Sequence, residues 1–313
     1  MMNQQLLQQL ADGKPHCYQQ LSQTLNLTED QLQNILTELT QQGIQIEQTE
    51  TDCIWQPVAE LLDHIYLQQT LPHNHLIVLP IIDSTNQYLL DHLSQLPNNS
   101  VCLAEYQTAG RGRRGRKWIS PFAGQVIVSF YHCFPQHTQL SGLSLAIGIA
   151  VAQALTSLGY QQVQLKWPND IWLAGKKLGG ILIEMKQNPT SFDYQVVIGL
   201  GLNIHLPLDT SIDQPIAMLS QQKQVNRNQI IARLIQQINQ VLSQFSTQGL
   251  TTLLTAWQQY DYFYKKPVKL LLEQQQICGI AMGINPLGEL LLQTEQGDIQ
   301  TFAIGEISLR AAG

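Results

Sequence analysis

Apolar positions over the first sixty residues recur at helical spacing. Leu6, Leu7 and Leu10 mark one short amphipathic helix, and Tyr18, Leu21 and Leu25 mark a second. A third is clearer. Thr28 with Gln31 fits a capping box, and Leu32, Ile35, Leu36 and Leu39 then follow i, i+3, i+4, i+7 spacing up to Gly43. Ile44 and Ile46, then Cys53, Ile54 and Trp55, predict two short strands around a polar turn.

Beyond this unit the pattern alternates between strands and helices. Val58–Leu71 predicts a helical linker ending at Pro72, and Leu76–Ile82 a strand running into Asp83-Ser84-Thr85-Asn86. Ser84 or Thr85 caps a helix whose apolar face is Tyr88, Leu89, Leu90 and Leu93. Val101–Gln107, Val126–Tyr131, Val163–Trp167, Ile181–Met185 and Val196–Leu202 predict further strands. Leu143–Leu158 predicts a buried helix, Asn228 opens a long helix that ends at Gly249, and Leu250–Phe263 predicts another. After Lys265-Lys266-Pro267 only short strands remain: Val268–Leu272, Gln276–Met282, Glu289–Gln293 and Ile299–Ile304.

The expected fold is therefore α+β in three parts: a winged helix-turn-helix over 1–62, a mixed-sheet domain with a ligand site along one edge over 63–264, and a small β-barrel over 265–313. The length of 313 residues and the 44% apolar content suit such a division. Five cysteines, odd in number and without a C-x-x-C pair, indicate neither a zinc site nor a disulfide framework, so no metal ligands are assigned. The expected compartment is the reducing cytosol, in keeping with an N-terminus that has no basic n-region. Ser144, Gln153, Thr156 and Ser157 interrupt the longest apolar run, which favours a buried helix over a membrane span.

Charge singles out one stretch. Gly110-Arg111-Gly112-Arg113-Arg114-Gly115-Arg116-Lys117 holds five of the seventeen basic residues in a chain of net charge −6. The only earlier Lys or Arg is Lys14. Glycines among cations allow backbone N–H groups to turn toward an anion, so the run reads as a mobile phosphate clamp. Its glycines also satisfy G-x-G-x-x-G, but Trp118-Ile119-Ser120-Pro121 is a poor helix start and no acid lies between Glu105 and Asp170. A dinucleotide fold needs both features. An RNA-binding arginine-glycine loop would call for neighbouring aromatic residues, and Trp118 is the one nearby.

The N-terminal unit carries the opposite charge. Residues 1–65 contain nine acids against Lys14 alone, and the third helix offers Glu29, Asp30 and Glu38 to solvent. Phosphate neutralisation supplies most duplex affinity. Gln33 and Asn34 are the residues there that can read base edges, without cationic anchors beside them.

Six ordered stretches resemble biotin protein ligase motifs: Asp83–Asn86, Glu105-Tyr106-Gln107, the 110–118 loop, Lys166-Trp167-Pro168-Asn169-Asp170, Lys177–Leu182 and Gly199–Asn203. The likeness continues to Gly305-Glu306-Ile307-Ser308-Leu309-Arg310, and the three-part layout is similar to the bifunctional ligase and biotin-operon repressor form. The resemblance implies a class II synthetase-like catalytic domain, an SH3-like C-terminal barrel, and biotin, ATP and Mg2+ as substrates and cofactor. It implies that biotin's carboxylate attacks the ATP α-phosphate, and that a lysine of the biotin carboxyl carrier protein of acetyl-CoA carboxylase then accepts the acyl group. It further implies a homodimer when adenylate is bound, and biotin operator DNA as a second partner.

Residue by residue, the resemblance places Ser84, Thr85, Asn86 and Gln107 around biotin, with Arg111, Gly112 and Arg113 beside them. Lys177 bridges the biotin carboxylate and the α-phosphate, with Arg113 among the cations that offset anion repulsion. Arg116, Trp118 and Asn203 take the nucleotide. Asp170, on local grounds an ordinary turn residue after Pro168-Asn169, orients the carrier lysine, whose unperturbed pKa of about 10.4 keeps it protonated. A lipoate-type adenylating ligase would share the sheet and the reaction. A biotin-sensing transcriptional regulator would have less need of both Lys177 and Asp170.

Overall fold

A computed structural model describes residues 2–41, 44–206, 215–272, 275–304 and 308–311. Gly43 and the 305–307 segment, which figured in the sequence motifs, lie outside the described residues. The N-terminal unit contains α1 (Met2–Leu10), β1 (His16–Cys17), α2 (Tyr18–Leu25), α3 (Glu29–Gln41), β2 (Ile46–Gln48) and β3 (Asp52–Trp55), with strand order β1-β3-β2. The apolar positions read from the sequence form its core, including Leu6, Leu10, Leu21, Leu32 and Leu36. The capping box closes as its spacing requires. Gln31 N–H donates to Thr28 Oγ1 at 3.2 Å, and Thr28 N–H donates to Gln31 Oε1 at 2.9 Å. The unit packs on the rest of the chain through Trp55, whose ring stacks on Phe122 at 4.1 Å and meets Tyr106 edge-on.

The expected linker helix is shorter than its apolar spacing suggests. Helix α4 is His64–Thr70, capped by the Asp63 carboxylate, which accepts from Tyr66 N–H at 2.9 Å. The preceding backbone bonds across the fold. Leu62 N–H donates to Glu105 Oε1 at 2.5 Å, Asp63 N–H donates to Asn228 Oδ1 at 2.9 Å, and the Leu61 carbonyl accepts from Asn228 Nδ2 at 2.9 Å. The Glu60 carbonyl accepts from Arg227 Nη1 at 3.0 Å. These tertiary partners satisfy the groups that a helix would have paired internally.

The central sheet has seven strands: β4 (His75–Ile82), β5 (Ser100–Gln107), β6 (Gln125–Phe134), β7 (Val163–Lys166), β8 (Asp170–Leu173), β9 (Lys176–Gln187) and β10 (Tyr194–Asn203). Their order is β4-β5-β6-β10-β9-β8-β7, and β4 with β5 is parallel while the other pairs are antiparallel. Pro80 is accommodated because β4 is an edge strand. Asp170, read locally as a turn residue, instead opens β8 and pairs with Lys166 and Gly180.

One face of this sheet is core. Val126, Val128, Phe130, Ile198, Leu200 and Leu202 bury against α6 (Leu143–Ser157) and α7 (Arg227–Gln248). On the other face lies α5 (Thr85–Asp91). The helix expected over 250–263 is a 3-10 turn followed by α8 (Leu254–Tyr260). Its predicted end is lost because the chain joins the sheet edge: Asp261 bridges to Leu165, and Tyr262 N–H donates to the Leu165 carbonyl at 2.8 Å.

The C-terminal unit is an antiparallel sheet of β11 (Pro267–Leu271), β12 (Gln276–Ile284), β13 (Leu290–Gln293), β14 (Ile299–Phe302) and β15 (Ser308–Ala311), in the order β14-β13-β12-β11-β15. Val268, Leu270, Leu292 and Leu309 join the core of the central sheet. Trp167 Nε1 donates across this boundary to the Gly288 carbonyl at 3.0 Å. No helix among the described residues is long and apolar enough to cross a membrane.

Candidate active site

The antiparallel register of β6 and β10 builds the floor of the site. Ser129 lies opposite Gly199, Ile127 opposite Gly201, and Gln125 opposite Asn203. Residues two apart on a strand share a face, so these six positions line one side. The glycines are there because other residues need the space. A Cβ on Gly199 would collide with the Asn86 amide, and one on Gly201 would lie 2.6 Å from the Trp118 ring.

Above Gly199 the first helical turn of α5 presents a buried polar niche. Ser84 caps the helix, its hydroxyl accepting from Gln87 N–H at 3.4 Å. Asn86 Nδ2 donates to Glu184 Oε2 at 2.8 Å, which fixes its Oδ1 as the acceptor of the Ser129 hydroxyl at 2.6 Å. The Ser129 hydroxyl also lies 2.7 Å from Thr85 Oγ1, and the Thr85 hydroxyl in turn donates to Gln107 Oε1 at 3.2 Å. Gln107 Oε1 accepts from Thr85 N–H at 2.9 Å, leaving its amine toward Ser120. Ser84, Thr85, Asn86 and Gln107 thus all line one cavity.

The basic loop forms the opposite wall. Trp118 N–H donates to the Gly110 carbonyl at 2.8 Å and Gly112 N–H to the Arg116 carbonyl at 2.7 Å, with Arg111 and Lys117 bridged between them. Its tip, Arg113–Gly115, is a single 3-10 turn. Arg111 pairs with Glu184 at 3.0 Å, and Arg113 Nη1 donates to Asn169 Oδ1 at 3.0 Å. Burial, then repulsion from Arg114, lowers the Arg113 pKa, although a guanidinium remains charged.

Facing the loop, Lys177 on β9 pairs with Asp170 on β8, Nζ to Oδ1 2.8 Å. Lys166 lies beside them, 7% exposed, its pKa pushed down to about 8 by burial despite the opposing pull of Asp170. Arg310 of the C-terminal sheet completes this wall. A protein of net charge −6 thus turns Arg111, Arg113, Arg114, Arg116, Lys117, Lys166, Lys177 and Arg310 toward one cavity. Such a field favours phosphate or carboxylate ligands.

Gly112, Arg116, Trp118, Lys177 and Asp170 line the cavity as the sequence motifs suggested, and Asn203 does not. Asn203 is 3% exposed and bonded behind the wall to Gln125 and the Ala217 carbonyl. Gln33 and Asn34 are exposed on α3, in the N-terminal unit, apart from the cavity. Sequence reasoning passed over Ser129, Glu184 and Gln125, and it quoted Lys166 and Asn169 within a motif without giving either a role. Ser129 had a visible signal, a hydroxyl inside the apolar run Val126–Tyr131. Among the described residues no group of three or more His, Cys, Asp or Glu could hold a metal ion. The cavity carboxylate is Asp170. This donor set does not fit a protein-held Mg2+ site.

Known proteins match this arrangement. The Biotin/lipoate A/B protein ligase family matches residues 78–203, and the Biotin protein ligase C terminal domain matches residues 266–310. The bifunctional ligase/repressor BirA of Escherichia coli K12 is 38% identical over 98% of this chain and 97% of its own length, and that of Salmonella typhimurium LT2 is equally similar. A biotin protein ligase from Aquifex aeolicus, solved in complex with biotin and ATP, superposes with a TM-score of 0.67 at 28% identity, covering 76% of this chain and 99% of that one. With both family regions matched and similarity running through the N-terminal unit, the chain belongs to the biotin protein ligase family.

Proposed function

We propose that this protein activates biotin with ATP and attaches it to a lysine of the biotin carboxyl carrier protein of acetyl-CoA carboxylase. The observation that carries this reading is the meeting of a buried amide and hydroxyl niche with a wall of cations on one sheet face. The niche suits a ureido ring, which both donates and accepts hydrogen bonds. A dithiolane ring offers no such partners, so lipoate is disfavoured.

In the first step a biotin carboxylate oxygen bonds to the α-phosphorus while the bond to pyrophosphate breaks. Two anions must approach, and Lys177, Arg111, Arg113 and Arg116 offset that repulsion by fixed positive charge. Trp118 supplies a flat surface for adenine above Gly201. Mg2+ would arrive on the ATP phosphates and add charge neutralisation there. In the second step the carrier lysine's nitrogen bonds to the acyl carbon, AMP leaves, and Asp170 orients the amine and holds its proton. The 110–117 loop covers the acyl-adenylate and limits hydrolysis.

Residues 1–62, 63–264 and 265–313 serve as winged helix-turn-helix, catalytic domain and SH3-like barrel in this reading, in a cytoplasmic protein that dimerises with adenylate bound. Biotin-dependent exchange of pyrophosphate into ATP, followed by transfer to a carrier domain, tests the activity. Exchange driven by lipoate, or none with biotin, would overturn it.

A second reading, repression of a biotin operon, is favoured by similarity to the bifunctional relatives over 98% of the chain. Gln33 and Asn34 on α3 would read bases. Gel-shift titration against the operator, with biotin and ATP present, tests this role. Absence of salt-dependent binding would remove it.

A further inference from the structure

Asn203 stands in a one-way hydrogen-bond chain behind the cavity wall. Trp118 Nε1 is a donor only, so the Gln125 atom 3.0 Å away is its acceptor Oε1. Gln125 Nε2 must then donate, and it reaches Asn203 Oδ1 at 2.8 Å. Asn203 Nδ2 donates in turn to the Ala217 carbonyl at 3.1 Å, and Ala217 N–H donates to the Lys177 carbonyl at 2.8 Å. Gln125 and Asn203 are 1% and 3% exposed, and they meet because the β6–β10 register places them opposite each other. The Gln125 backbone is held as well, its carbonyl accepting from Arg227 Nε at 2.9 Å.

We infer that Gln125 is a positioning residue for the nucleotide end of the site: it fixes the Trp118 indole over Gly201 and, through Asn203 and Ala217, ties that platform to the strand position of Lys177. Two restraints act on the indole: the bare backbone of Gly201 beneath the ring and the Gln125 oxygen at its N–H. Removing the second lets the ring rotate in its plane or tip away. Nucleotide affinity then falls, while the Ser84–Gln107 niche, which shares no hydrogen bond with Gln125, is untouched. This inference rests on the nucleotide role given to Trp118 above.

The test is a double-mutant cycle on the full chain, titrating ATP and biotin separately. Gln125→Ala is expected to weaken ATP binding about tenfold, the effect of one lost hydrogen bond to a buried group, with biotin affinity within about twofold of the parent. Gln125→Glu retains an acceptor for the indole but ends the donation to Asn203, so it is expected to recover part of that loss, and a smaller loss confined to ATP affinity in this variant serves alone if the alanine variant does not fold. In a Trp118→Phe background, which has no indole N–H, Gln125→Ala is expected to add little. Full additivity of the two substitutions, equal losses for ATP and biotin, or unchanged ATP affinity in Gln125→Ala would each overturn the inference. Failure of the parent protein to bind biotin and ATP would instead overturn the function proposed for it.

Discussion

Lys177 Nζ lies 2.8 Å from Asp170 Oδ1, joining the two side chains assigned to opposite halves of the reaction. Each is about one-fifth exposed, so the pair is open to a ligand yet partly desolvated. Phosphate or carboxylate oxygens can compete with Asp170 for the ammonium, and the freed carboxylate is then placed to meet an incoming amine. Asp170→Asn is expected to make adenylate within a few-fold of the parent and to slow transfer by about 100-fold or more, the usual scale of general-base loss. Single-turnover measurement of the two steps checks this. Equal slowing of both would mean that the carboxylate serves only to place Lys177.

Lys177→Ala is expected to reverse that pattern. Adenylate formation falls steeply, while transfer from supplied adenylate falls less, because the lost charge belongs to the step in which two anions meet. Lys177→Arg is not expected to restore the rate, since a planar fork does not reproduce a compact ammonium paired with Asp170. Pyrophosphate exchange and carrier transfer, measured separately, distinguish these outcomes.

Lys166 is expected to make anion binding depend on pH. Burial holds its pKa at about 8, with Asp170 opposing and Arg310, Lys177 and Arg116 reinforcing the shift. A lysine below its pKa is cationic, so its contribution to pyrophosphate affinity is full on the acid side of its pKa and declines as pH rises through about 8. A bound anion favours the charged form and moves the midpoint upward. Calorimetric titration across that range should show the decline in the parent, and Lys166→Arg should flatten it.

The strands, the long helices and most cavity residues were legible because hydrophobic period and turn chemistry are local properties. Asp83–Asn86 and the 110–118 loop carried their chemistry in contiguous residues. What escaped was set by pairing between distant segments. Gln125 and Asn203 become neighbours only through the β6–β10 register, and Glu184 reaches Arg111 only because β9 lies beside β10. The linker shows the same limit from the other side: residues 58–63 have helical spacing, but Glu105, Arg227 and Asn228 claim their backbone groups.

Gly199→Ala tests the packing of the niche proposed for biotin. The added methyl would occupy the place of the Asn86 amide, which holds the Ser129 hydroxyl and Glu184. Neither β10, central in the sheet, nor α5 can retreat without breaking its own hydrogen bonds, so Asn86 must leave its position. The expected result is loss of biotin affinity by about 100-fold, with ATP affinity much less affected. Comparable binding of biotin by this variant would show that Asn86 is not part of the niche.

Arg227 and Glu105 hold the segment that leads out of the N-terminal unit. Arg227 is fully buried; its Nη1 meets Glu105 Oε2 at 2.5 Å and the Glu60 carbonyl at 3.0 Å, while Glu105 Oε1 receives Leu62 N–H. Arg227→Met leaves a buried carboxylate facing no cation, and breaking such a pair costs about 3–5 kcal/mol. Replacing both partners, Glu105→Leu with Arg227→Met, removes the stranded charge and should recover part of that loss, although Leu62 N–H and the Glu60 and Gln125 carbonyls then lose these partners. Urea denaturation of the two variants and the parent decides the point. A single substitution as mild as the double one would show that the pair contributes little. A much larger loss in the single variant, together with easier proteolysis between residues 56 and 63, would establish that this buried pair fastens the N-terminal unit to the catalytic sheet.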